Sequence, residues 1–305
     1  MTISSRPKRL RRSQLSVPGS SEKMLAKAAG SAADHVFCDL EDAVAPSAKV
    51  AARAKIVNAL NTLDWGKKTR CVRINDVTTE WCHGDIIELV EGAGANIDTI
   101  MLTKPYTAAD VVFLDRLLGQ LEKKLKLQKT IGIEVLIEEV QALQNVEAIS
   151  RASDRLEALI FGMGDYSGSQ GIDTKDIGDT GTYPGDIFHY PRFQITMAAR
   201  AAGLDAIDGP YGNFANEEGY RREATKARSL GMVGKWAIHP SQIAPALDIF
   251  SPDAEEVIRA RKMEAAYREA EAQGLGAVQV DGVMIDVAVL RLVRNTLDKA
   301  DLIGM

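Results

Sequence analysis

Eight short apolar runs alternating with helix-forming segments predict an α/β chain folded as a (β/α)8 TIM barrel with a C-terminal helical extension. Three observations carry that expectation. The runs are β-branched, unbroken and bounded by polar or glycine residues, as strands buried on both faces of a parallel sheet read. They recur at spacings of roughly 20 to 40 residues, and eight such units are more than a doubly wound sheet usually holds. The chain has 305 residues, 46 % of them apolar, enough for one barrel of about 250 residues and an appendage.

In chain order, Met1 to Arg11 is polar and basic and reads as a mobile arm. Ser13 to Gly19 is a strand stopped by Pro-Gly, Glu22 to Ala29 a helix capped by Ser20 or Ser21, and His35 to Asp42 a strand ending in acids. The helix Ser47 to Leu63 and the strand Thr69 to Asn75 follow, then a helical region around Asp85 to Gly92. Ile97 to Pro105 is the fourth strand. Val111, Val112, Leu114, Leu117, Leu118, Leu121 and Leu125 give the helix Ala108 to Leu127 its apolar side.

The stretch Thr130 to Gly168 holds the fifth and sixth strands with room for a crossover helix between them. Gln170 to Asp186 is rich in Gly and Asp without periodicity, a long loop suited to a functional lid. Helices Pro191 to Ala202 and Asn216 to Leu230 precede the strands Leu204 to Pro210 and Gly234 to Pro240. Residues 1–250 thus form the barrel domain and 251–305 the extension. In the extension, the helix Asp253 to Gln273 is broken at Gly274-Leu275-Gly276, and Asp281-Gly282 is a tight turn before a last helix from about Asp286. Too small to stand alone, this module is expected to dock on the barrel or on a neighbouring subunit.

A formal charge of −5 argues against nucleic acid or an anionic membrane as partner, the local exception being Arg6, Lys8, Arg9, Arg11 and Arg12. Cys38, Cys71 and Cys82 are odd in number and lack metal spacing, so they read as buried reduced thiols. With no apolar run of membrane length and no signal core, the expected compartment is the cytoplasm. No nucleophile elbow and no histidine pair spaced for zinc is present, and Gly162-Met163-Gly164 does not fit the dinucleotide fingerprint. His189 and His239 read as packing or hydrogen-bonding residues.

Two acids close the central runs, Glu138 the fifth and Asp165 the sixth. Each alone could be a helix cap. As a pair on adjacent strands they fit octahedral Mg²⁺ or Mn²⁺, which takes few carboxylates and keeps waters. Glu134 and Glu139 compete nearby, and period-two alternation puts Glu134 on the inward face with Glu138, close behind the pair. Arg73 either pairs with Glu41 or Asp42 or clamps a substrate carboxylate or thioester oxygen.

Arg12 to Gly19, the run Asp39 to Val44, Val72-Arg73-Ile74-Asn75, LIEEVQALQNVEAI, FGMGDYS, AIDGPYGN, GKWAIHPSQI and MIDVAVL together resemble the HpcH/HpaI aldolase and citrate lyase β-subunit family. Within it they look most like the malyl-CoA and β-methylmalyl-CoA lyases. The resemblance implies Mg²⁺ (or Mn²⁺) on Glu138 and Asp165, Glu41 and Asp42 on the metal's waters, and Arg73 on the oxyanion and carboxylate. It puts Arg12 on the CoA phosphates and Asp286 in a neighbouring subunit's site, hence a homo-oligomer, trimer or hexamer. The implied activity is cleavage of a 3-hydroxyacyl-CoA to an acyl-CoA and a glyoxylate-type oxo acid. Citramalyl-CoA cleavage, malyl-CoA thioester hydrolysis and a citrate lyase β-subunit-like activity remain alternatives on the same site. Glu139-Val140-Gln141-Ala142 replaces the family's Thr-Ala-Arg-Gly, and Thr103 and Tyr106 stand where apolar residues are usual, which leaves the acyl group open.

Overall fold

The computed structural model describes residues 6–173, 177–178 and 185–305. Strands β1 (Ser13–Pro18), β2 (His35–Asp39), β3 (Thr69–Arg73), β4 (Thr99–Leu102), β5 (Gly132–Ile137), β6 (Leu156–Phe161), β7 (Asp205–Asp208) and β8 (Gly234–Ala237) form a closed barrel. All are parallel, and β8 returns to β1 with Ser13 opposite Lys235. The (β/α)8 architecture expected from the alternation is the one observed.

Helices run between the strands and after the last of them: α1 (Glu22–Ala29), α2 (Lys49–Thr62), α3 (Cys82–Ala93), α4 (Ala108–Leu125), α5 (Val140–Gln144), α6 (Val146–Ile149), α7 (Met163–Gln170), α8 (His189–Ala201), α9 (Glu217–Ser229) and α10 (Ile243–Phe250). Ser21 caps α1 through its side chain, and Thr107 with Asp110 forms a reciprocal capping box on α4. The buried stripe of α4 is Val111, Leu114, Leu118 and Leu121; Val112, grouped with it by sequence, faces solvent. Where one crossover helix was expected between β5 and β6, two short ones meet at Asn145, whose amide donates to the Tyr106 carbonyl at 2.8 Å.

Two residues fall differently from the sequence reading. Strand β6 ends at Phe161, so Asp165 lies in the first turn of α7 rather than at a strand end. Gln170 ends α7, and of the loop expected over Gln170 to Asp186, residues 174–176 and 179–184 lie outside the described residues.

The barrel interior is layered. Phe37, Cys71, Met101, Leu136, Ile207 and Trp236 make an apolar middle layer. Toward the N-terminal ends of the strands lies a charged layer. There Arg11 meets Glu134 at 3.1 Å, Glu157 at 2.6 Å and Asp205 at 3.0 Å. Glu134 also takes contacts from Gln14, His35 and Thr99. It does point inward, but it is held at the opposite side of the apolar layer from Glu138 rather than behind it.

By contacts the described chain separates into Arg11–Asp248, with Arg6 and Pro7, and Ile249–Met305, with Lys8–Leu10. The second unit contains α11 (Ala254–Ala272), a hairpin of β9 (Val278–Val280) and β10 (Val283–Ile285), and α12 (Val287–Ile303). The sequence reading found the turn but not the two strands. Asp281 and Gly282 both have positive φ, 49° and 81°, as a two-residue hairpin turn requires. Val257, Tyr267, Ile285 and Leu297 belong to this unit's own apolar core. No helix among the described residues is long and apolar enough to cross a membrane.

Candidate active site

The C-terminal ends of parallel barrel strands are where loops can gather functional groups from several strands. Asp39 and Arg73 are the last residues of β2 and β3 and stand opposite one another in register. Both are buried, and Arg73 donates to Asp39 twice, through Nε at 2.7 Å and Nη2 at 2.5 Å. Its Nη1 reaches Glu41 at 3.1 Å. The guanidinium also lies over the rings of Trp236 and Phe37, at 5.2 and 5.8 Å. Of the two partners expected for Arg73, Glu41 and Asp42, Glu41 is met, while Asp39, not foreseen, takes two of the guanidinium's hydrogen bonds.

Asp39 organises the turn that carries the other acids. Its carboxylate accepts from the backbone amides of Glu41 at 2.8 Å and Ala43 at 3.1 Å. The Lys49 ammonium donates to the carbonyls of Leu40 and Glu41, fixing the same turn from below. Asp42 follows, with its amide on Glu41 Oε2 at 2.9 Å.

Glu138 comes directly after β5 and is buried. Gly162 leaves it room: a Cβ there would sit 2.4 Å from the Glu138 Cβ. Burial drives the Glu138 carboxyl well above the usual range; Arg73 and Lys104 oppose the shift, while Asp165 and Glu41 add to it. Burial likewise raises Glu41 against the counter-charge of Arg73.

The residue that joins these acids is Lys104, read from sequence only as the end of the fourth strand. Its ammonium donates to Glu41 Oε1, lies 3.5 Å from both oxygens of Asp42, and is 3.9 Å from Asp165 Oδ1. Its backbone amide donates to Glu138 Oε1 at 3.0 Å. Lys104 has φ 47°, a left-handed conformation that costs an L-residue about 1 kcal/mol and that a following proline does not relieve. The sequence signal was available in part: a lysine directly after a strand whose neighbours end in acids.

Glu41, Asp42, Arg73, Glu138 and Asp165 are therefore gathered at one rim. Arg12 is not. It precedes β1, where Nε and Nη2 both pair with Asp34 at 2.8 Å, at the rim opposite Glu138. Asp286 belongs to the C-terminal unit, where its carboxylate caps α12 by accepting from Ala288 and Val289. Glu139 sits at the entry of α5 without a side-chain capping bond. His239 binds Ser241 and stacks on Phe214, and His189 stacks on Phe193, the packing roles expected of them. Cys38, Cys71 and Cys82 are free and buried, and burial pushes the Cys38 and Cys82 thiols up to about 12.

Residues 12–240 match the HpcH/HpaI aldolase/citrate lyase family. The chain belongs to that family. It is 40 % identical to an L-malyl-CoA/β-methylmalyl-CoA lyase of Cereibacter sphaeroides, over 98 % of this chain and 97 % of that one. A (3S)-malyl-CoA thioesterase of the same species is 36 % identical over 96 % of this chain and 95 % of its own. Among solved structures, protein CitE from Mycobacterium tuberculosis in complex with magnesium, acetoacetate and coenzyme A superposes with a TM-score of 0.75. It is 29 % identical, covering 96 % of this chain and 98 % of that one. In this member of the HpcH/HpaI family, an arginine and a group of acids share the C-terminal rim of the barrel.

Proposed function

We propose that the chain is a divalent-metal-dependent carbon–carbon lyase acting on a 3-hydroxyacyl-CoA such as L-malyl-CoA or β-methylmalyl-CoA. The products are acetyl-CoA or propionyl-CoA and glyoxylate. The observation that carries this is the convergence of Glu41, Asp42 and Asp165 on a single cationic point, with Glu138 bound to the same residue's backbone and Arg73 beside them. An ammonium already stands among these oxygens, so hard carboxylate donors and a cation fit one another here.

Glu138 and Asp165 would hold Mg²⁺ or Mn²⁺, with Glu41 and Asp42 on its waters. When bound, the ion supplies Lewis acidity toward the hydroxyl and carboxylate oxygens of the substrate and makes the hydroxyl proton easier to lose. Once that proton has passed to water at the open rim, the bond between the carbinol carbon and the acyl α-carbon breaks. Glyoxylate takes the new carbonyl, and the electron pair moves into the thioester as an enolate. Arg73, fixed by Asp39, offsets the charge on the enolate oxygen, and a donor of that kind is typically worth about 3 kcal/mol. Asp286 of a neighbouring copy delivers the proton to the enolate carbon, or removes it from the acyl-CoA in the condensing direction. That role requires a closed homo-oligomer, for which the family resemblance implies a trimer or hexamer, with 251–305 as a lid over the neighbouring copy's site.

The thioesterase relative supports a second outcome on the same site, water attack on the thioester. Citramalyl-CoA cleavage and a citrate lyase β-subunit-like reaction use the same groups. A coupled assay with malyl-CoA and Mg²⁺, following glyoxylate and free thiol separately with citramalyl-CoA run alongside, separates them. Glyoxylate without free thiol is the expected result. Free thiol without glyoxylate would replace the lyase by a thioesterase, and no product from either substrate would sink both.

A further inference from the structure

Lys104 touches the acids of this rim in two ways that have different fates. Its backbone amide is fixed on Glu138, whereas its ammonium lies on Glu41, Asp42 and Asp165 at the end of a flexible side chain. The acids do not depend on that ammonium for their positions. Glu41 keeps Arg73 and has its carbonyl pinned by Lys49; Asp42 is held by its amide; Asp165 is built into α7. The Lys104 side chain is 19 % exposed and that of Asp165 is 44 % exposed, so the ammonium has a way out toward solvent.

We propose that Lys104 is a displaceable counter-cation: its ammonium neutralises the acids of the metal-free site, must leave them when a divalent ion enters, and so sets the affinity of the site for that ion. This deepens the lyase reading and rests on it for the presence of the metal. Lys104 is then no catalytic residue; it acts through the charge it sets against the carboxylates beside it, not through their positions. The backbone conformation belongs to a separate function, because the amide on Glu138 is present whatever the side chain.

The test is a titration of metal-free protein with Mn²⁺, read by the paramagnetic signal of the free ion, for the wild type, Lys104→Met and Lys104→Arg. Removal of a like charge competing for the same oxygens should tighten Mn²⁺ binding about tenfold or more in Lys104→Met. Lys104→Arg, which keeps the charge, should stay within about threefold of the wild type. Without metal, Lys104→Met should melt below the wild type and recover on adding Mn²⁺, since its acids then lack a counter-charge. Lys104→Gln provides a second neutral side chain should the Met variant fold poorly.

Equal or weaker Mn²⁺ binding in both neutral variants would overturn the role of Lys104 and leave the lyase reading intact. Because the titration contains no substrate, a wild type that binds Mn²⁺ but cleaves no acyl-CoA would sink the lyase reading alone. No Mn²⁺ binding by any of the proteins would overturn both.

Discussion

Glu134 lies within β5 and Glu138 directly after it, four residues on and so on the same face, both buried, and their carboxyl groups are driven in opposite directions. Burial alone would raise both. At Glu134 it is outweighed by the charges of His35 and Arg11 and by their hydrogen bonds, so the group falls well below the usual range. At Glu138 burial wins, since Asp165 and Glu41 offset what Arg73 and Lys104 supply. One end of the barrel therefore carries an acid with its cation built in, and the other an acid short of one. The first arrangement holds strands together; the second is suited to a cation brought from outside.

The sharpest way to break this contrast is to neutralise each acid in turn. Glu138→Gln should cut lyase activity by more than about 10²-fold, beyond the usual effect of groups that merely orient metal ligands. Its melting temperature should stay level or rise, because an under-compensated buried charge has gone. Arg73→Ala should lose about 10² to 10³ in kcat, the range for removing one oxyanion donor. If either protein kept most of its turnover in the coupled assay, the C-terminal rim would not be the reacting end.

Glu134→Gln is the counterpart. It leaves Arg11 short of a partner in a dry layer and should cost about 3 to 5 kcal/mol of stability in urea unfolding, with kcat nearly unchanged. The pH windows are opposite as well. Glu134 has a folded value below its unfolded one, so its contribution is complete above the usual range near 4.3 and is lost as pH falls through the folded value. The raised group of Glu138 contributes below that range, and the contribution is lost as pH rises through its folded value. Urea midpoints taken from about pH 7 to about pH 3 should thus fall less steeply in Glu134→Gln than in the wild type, and more steeply in Glu138→Gln. Parallel curves for all three would remove the electrostatic distinction between the two ends.

A gentler perturbation moves Glu138 without changing its charge. In Gly162→Ala the new methyl would lie 2.4 Å from Glu138 Cβ and 2.7 Å from its Oε2, so the acid or β6 must shift. A cost of about 1 to 3 kcal/mol is expected from such overpacking, read as a lower melting temperature, with weaker Mg²⁺ binding in calorimetry. Unchanged metal affinity would mean that Glu138 tolerates displacement and is not a ligand.

Much of the barrel was legible because buried parallel strands have a plain signature, but the pairing of Asp39 with Arg73 was not, since the apolar runs carry on past them to Asp42 and Asn75 and hide where β2 and β3 end. What escaped the sequence has local reasons. The α7 sequence is rich in Gly and Ser, so its helicity comes from its surroundings rather than from propensity. Strands β9 and β10 have three residues each, too few for alternation to register. Glu134 and Glu138 share a face, and nothing in a period of two tells which end of a barrel each will serve. Lys104 reaches acids 62 and 63 positions back in the chain, a contact that only closure of the barrel creates.

Arg12 supplies the smallest expected effect and the last test of the two-ended barrel. Its pair with Asp34 is partly buried, at the strand entrances rather than at the rim of Glu138. Arg12→Ala should therefore cost about 1 kcal/mol of stability, as partly exposed pairs do, and leave the KM for the acyl-CoA within about twofold. A phosphate-binding role would look different, because losing a charge-assisted contact to phosphate weakens ligand binding while kcat holds. A several-fold rise in KM for malyl-CoA, matched by weaker binding of free CoA and abolished when the CoA phosphates are absent from a truncated thioester, would therefore return Arg12 to the ligand. The division between a structural and a reacting end would then have to admit a nucleotide at the former.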